Sequence, residues 1–116
     1  MKMLSNEEYT VDKDKLIYDA YKIIDATNVP IQVPEGSGIL KRGQVIDFDD
    51  EKYKPHVENG TPNRIIATDT PYGEDDSEVM APTYISGDFR ESACITGVEL
   101  TVTDKENLRK SGIVLK

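Results

Sequence analysis

The sequence predicts a mainly β fold, a small barrel or sandwich-like single domain with one or two short helices and an extended N-terminal arm. Three observations predict it. Turn residues interrupt the chain repeatedly between Pro34 and Gly112. The apolar positions between them come in short runs. The 116 residues suffice for one hydrophobic core and show no internal repeat.

The first dozen residues are polar, charged and without period, as expected of an arm rather than a packed element. From Leu16 to Ile24 the apolar residues have helical spacing, with Asp12 or Asp14 as a candidate cap. The same stretch also suits extended chain, because Asn28, Pro30 and Pro34 soon forbid a regular helix. Periodicity leaves both open.

Beyond Pro34, Glu35-Gly36-Ser37-Gly38 is a turn, Ile39-Leu40 follows, and Lys41-Arg42-Gly43 turns again. Val45, Ile46 and Phe48 predict a short strand, ended by the acidic run Asp47 to Glu51. Tyr53 to Val57 contains Pro55, which restricts it to an edge strand. Asn59-Gly60 is a tight-turn pair. Ile65, Ile66 and Ala67 predict a buried strand, and Thr68 to Ser77 a polar loop. Val79 to Ile85 predicts a strand closed by Ser86-Gly87-Asp88. Val98, Leu100 and Val102 alternate with polar residues, which predicts a strand with one buried face. Thr103 with Glu106 forms a capping-box pattern for a short helix stopped at Gly112, and Ile113-Val114-Leu115 predicts a last strand.

Composition narrows the function classes. The net charge of −8, without any basic cluster, disfavours binding to nucleic acid. No stretch approaches the length of an apolar membrane span, so no membrane association is expected. The first eight residues lack an apolar run before a small-residue cleavage site, so no signal peptide is expected and synthesis is assigned to the cytosol. Cys94 stands alone, which agrees with a reducing compartment.

No residue earns a catalytic, cofactor-binding or metal-binding assignment. His56 is the single histidine; without a second one, a surface position beside Pro55 is the better reading than a base or a metal ligand. Cys94, between apolar neighbours and near acidic residues, reads as a buried structural cysteine. Asp47, Asp49, Asp50 and Glu51 lack the central glycine of a calcium loop, and Glu74-Asp75-Asp76 is a charge run on a loop tip; both read as solvated. Gly36-Ser37-Gly38 does not open a helix, and Ser5, Ser77 and Ser86 have no nucleophile elbow around them.

Four stretches carry a resemblance to a known family: Ile39-Leu40-Lys41-Arg42-Gly43-Gln44-Val45-Ile46, Arg64 to Asp69, Thr83 to Ala93, and Leu108 to Lys116. In order and spacing they resemble the head-decoration proteins of tailed phages, over roughly Leu16 to Lys116. No single motif is specific; the match lies in their order, their spacing and the C-terminal ending. The resemblance implies a small β-rich domain that binds the outside of an expanded capsid as trimers at threefold positions and reinforces it against packaged DNA. It also implies the major capsid protein as partner, a homotrimer, a virion location reached from the host cytoplasm, and extended chain from Lys22 onward. Residues 1–21 are then the arm and 22–116 the decoration domain, with Leu16, Ile17 and Tyr21 as the apolar residues through which the arm grips the capsid. The polar lead and the acidic run at Asp47 depart from the family pattern. Two alternatives remain: a phage tail-tube or neck module, which predicts rings or tubes, and a small host binding domain or enzyme. The latter predicts a pocket holding His56 together with a carboxylate.

Overall fold

The computed structural model of the protein describes residues 16–18 and 25–116. Its strands are β1 (Asp25–Gln32), β2 (Gly38–Leu40), β3 (Val45–Asp49), β4 (Lys52–Pro55), β5 (Pro62–Ile66), β6 (Thr70–Tyr72), β7 (Glu78–Phe89) and β8 (Ile113–Leu115). A 3-10 turn covers Glu91–Ala93, and helix α1 covers Val102–Lys110. The main sheet runs β1-β4-β3-β5-β7-β8, and β1 also pairs with β7, so five of its strands close into a barrel while β8 flanks β7. Closure removes most free strand edges without demanding length from any single strand.

The apolar pairs Val45-Ile46 and Ile65-Ile66 explain the centre of the fold. Neighbouring strand residues point to opposite faces, yet both members of each pair are buried. One face carries Val45, Ile65, Phe89 and Ile113, packed with Leu108 of helix α1. The other carries Ile46 and Ile66 with Val29, Ile31, Leu40 and Ala81. Strands covered on both sides carry consecutive apolar residues in place of alternation.

Several expectations are corrected. Tyr53 to Val57 was expected at an edge, but β4 lies between β3 and β1, antiparallel to the first and parallel to the second. Pro55 is tolerated because it ends the strand. The polar loop Thr68 to Ser77 contains β6, which pairs with β2. The strand expected to close at Ser86-Gly87-Asp88 continues to Phe89; Gly87 takes a φ of 136° within it, a backbone setting open to glycine. No strand forms at Val98 to Val102. The chain there leads into α1, and Val102 is 85% exposed at its first turn.

The helix starts two residues earlier than expected. Thr101, not Thr103, is the cap, and Asp104, not Glu106, completes the box. The Asp104 amide donates to Thr101 Oγ1 at 3.1 Å, and the Thr101 amide donates to Asp104 Oδ2 at 2.9 Å. Both threonines have an acidic residue three positions on, so local pattern could not choose between them. Packing chose, because Asp104 is buried whereas Glu106 is on the outside with Arg109.

Leu16 and Ile17 belong to the body rather than to a separate arm. Leu16 is 3% exposed in the core cluster with Phe89 and Ile113, and Ile17 packs against that cluster and bridges to Phe89. The Arg90 amide donates to Leu16 O at 2.7 Å, and the Tyr18 amide donates to Asp88 O at 2.9 Å. Arg90 and Lys116 lie over the Tyr18 ring. An apolar side chain at a sheet edge gains more from the core than from water, which overrides the polar character of the residues before it. Tyr21, the remainder of the 1–21 segment and the helix-or-extended question up to Ile24 lie outside the described residues. From Asp25 the chain is extended.

Candidate functional site

Where β3 meets the start of α1, three titratable side chains lie inside the protein. Asp47 follows the inward Val45 by two positions, so it points to the same helix-facing side of the sheet. His56 is the first residue after β4, and its amide donates to Val45 O at 3.0 Å, which continues the β3–β4 hairpin by one rung. Asp104 reaches the same place from the first turn of α1. All three residues are buried.

The imidazole joins the two carboxylates. Nδ1 of His56 lies 2.6 Å from Asp47 Oδ1, and Nε2 lies 3.2 Å from Asp104 Oδ2. The second contact has ion-pair distance without hydrogen-bond geometry, so the Asp47 side is the tighter bond. A ring protonated on both nitrogens presents a donor to each acid. Asp47 Oδ2 also accepts from the Val57 amide at 3.0 Å. Gly60 completes the arrangement: a Cβ there would collide with the Asp47 carboxylate where it now stands, so glycine lets the chain close over it. The pair Asn59-Gly60 is the expected turn, with Asn59 at a φ of 67° and the Gly60 amide donating to Val57 O.

Above this group is an open cleft of about 750 Å³, lined by Glu58 to Thr61 on one side and by Val98, Glu99, Thr101, Thr103, Asp104 and Asn107 on the other. Asp104 and Gly60 reach its surface; the His56 ring does not. The imidazole is therefore an internal cross-link between sheet and helix, not a group presented to a ligand.

The surface reading of His56 and the solvated reading of Asp47 are both corrected here. Each side chain escapes the cost of burial by pairing with the other. Asp50 and Glu51 do form an exposed turn, both with positive φ, between the paired residues Asp49 and Lys52. That is the type I′ pattern of a two-residue hairpin. Cys94 is half-buried rather than buried; burial, helped by the charge of Glu91, pushes its thiol up to about 11. Its Sγ lies 3.5 Å from Arg90 O. The tip Glu74-Asp75-Asp76 is exposed, as expected. Among the described residues no group of three or more His, Cys, Asp or Glu side chains is arranged to hold a metal ion, and no helix is long and apolar enough to cross a membrane.

No protein-family model matches the chain, and no curated protein matches it. The functional reading therefore stands on residues and geometry.

Sequence reasoning singled out His56 and Asp47 but put both in solvent, and it did not single out Asp104. The signal for Asp104 was present, as the acidic end of Thr101-Val102-Thr103-Asp104. For Asp47 the only hint was an acidic residue at an inward strand position after Val45.

Proposed function

We propose that this protein is a decoration module of a phage head, a clamp that binds the outside of the expanded capsid in threes and reinforces it. The observation that carries this reading is where the four family-like stretches fall. Far apart in sequence, they contribute β3, β5, β7 and β8, four consecutive strands of one sheet. Their contacts run Val45 to Ile65, Ile65 to Tyr84, and Gly87 to Ile113. The matching strand residues of the main sheet thus lie side by side along one wall of the domain, with Ile39-Leu40 in β2 and Leu108 to Lys110 in α1 outside it.

The mechanics suit a clamp. A shell under outward load needs a small rigid unit repeated at equivalent positions. Here a closed barrel is tied to its helix by a buried Asp–His–Asp link, and Tyr18 is held under Arg90 and Lys116. Several weak contacts per trimer raise avidity without any strong single one. Leu16 is held in the domain's own core and Ile17 packs beside it, so in this reading the capsid grip draws on residues other than these two.

The reading as a host enzyme or binding domain retains one favourable feature, a carboxylate, Asp104, at a cleft. It lacks the imidazole facing that cleft. The discriminating experiment mixes purified protein with expanded, undecorated capsids and images them. Density in threes at threefold positions is the expected result. Absence of binding, or rings and stacked tubes of the protein alone, sinks the proposal and favours the tail or neck alternative.

A further inference from the structure

The pairing register shows where the barrel is left open. The Ala67 amide donates to Pro82 O at 2.9 Å, so residues 82 and 84 turn their main chain toward β5. In an antiparallel ladder the alternate residues, 81 and 83, then turn theirs toward β1. Their partners Val29 and Thr27 use their main-chain groups on β7, which leaves Ala26, Asn28 and Pro30 facing outward. On that outer side β4 reaches β1 at one position, Ile31 to Tyr53. Asp25 to Asn28 are exposed. Pro30 has no amide to offer, and the Ala26 amide is held by Asp25 Oδ1 at 2.8 Å. The C=O of Ala26 and both main-chain groups of Asn28 have no partner among the described residues.

This gap has acidic ends. Asp25 is at one. At the other, the parallel register carried one step back brings Lys52 beside Pro30, with the exposed Asp50–Glu51 turn just beyond it. Lys52 is in register with Asp49 across its own hairpin. An edge with two carbonyls and one amide, between acidic groups, suits the backbone of an extended chain with cationic side chains.

We propose that the outer edge of β1 at Ala26–Asn28 is a strand-addition site for an extended peptide segment of another protein, with basic residues on either side of its centre. Recognition runs through main-chain hydrogen bonds, with the basic residues set against Asp25 and the Asp50–Glu51 turn. The inference is independent of the capsid reading, and its test uses no capsid, so the two fail separately.

The probe is the blocked peptide Lys-Thr-Val-Thr-Lys at millimolar concentration, with Glu-Thr-Val-Thr-Glu as its counterpart, added to the full chain and followed by amide NMR and hydrogen exchange. The lysine peptide should slow exchange of the Asn28 amide by roughly fivefold or more, and the glutamate peptide should not. Asn28→Ala should bind as the wild type does, because the side chain is not what is read. Asn28→Pro should lose binding while its thermal transition stays in place, and Asp25→Lys with Glu51→Lys should weaken binding by about tenfold. Three results overturn the proposal: equal binding of both peptides, shifts confined to the cleft around Glu58 and Glu99, or an Asn28 amide whose exchange the lysine peptide leaves unchanged. The last measurement is made on the wild type, so it decides the matter even if Asn28→Pro fails to fold.

Discussion

Replacing His56 with alanine removes the imidazole that Asp47 and Asp104 share inside the protein. Three losses combine: the 2.6 Å bond to Asp47, the 3.2 Å contact to Asp104, and the volume of a ring whose side chain is fully buried. Afterwards Asp47 keeps the Val57 amide and Asp104 keeps the Thr101 amide, one neutral donor for each acid. Breaking a buried ion pair on one side costs about 3–5 kcal/mol, because a charge is left inside without compensation. Small domains have roughly 5–15 kcal/mol in total, so His56→Ala should lie near the limit of folding. At about 4–8 °C per kcal/mol for a domain near this size, the melting transition should fall by more than ten degrees. Urea denaturation followed by circular dichroism measures the change. The double variant His56→Ala/Asp104→Ala should cost less than the two single losses added, because removing one acid relieves what removing the ring created. A loss under about 1 kcal/mol for His56→Ala would refute the cross-link, since such a value is typical of an exposed ion pair.

Four further outcomes are expected. Gly60→Ala should destabilise by about 1–3 kcal/mol, as overpacking does, because its Cβ displaces the Asp47 carboxylate; denaturant midpoints check this. Leu16→Ala should cost on the order of 2–5 kcal/mol, which an arm residue outside the core would not show in the same assay. Glu51→Gly should raise stability by up to about 1 kcal/mol, since glycine takes positive φ without the strain of a side chain; a lower melting temperature would count against the hairpin geometry. The Cys94 thiol, pushed up to about 11, should react slowly with iodoacetamide at pH 8 and quickly once the chain is unfolded. A thiol raised on folding stabilises fully below its ordinary value of 9.0 and loses that contribution as pH climbs to about 11. Wild-type stability should therefore fall across that window more than that of Cys94→Ser.

The sequence by itself determined the features that depend on neighbours in the chain. Asn59-Gly60 had to turn, Gly112 had to stop the helix, and Ile113-Val114-Leu115 had to be a strand, because backbone freedom and apolar runs act within a few residues. Val45-Ile46 and Ile65-Ile66 likewise announced buried strands. Only the tertiary structure decided which of two threonines capped α1, that β4 would close the barrel, that Val98 to Thr101 would stay irregular, and that Leu16 would enter the core. It alone brought Asp47, His56 and Asp104 together from β3, the end of β4 and the start of α1. The physical reason is that a polar residue carries no fixed preference for the interior. An unpaired Asp47 or His56 belongs in water, whereas the same side chains facing each other at 2.6 Å can be buried, and that pairing exists only once β3, the β3–β4 hairpin and α1 have packed.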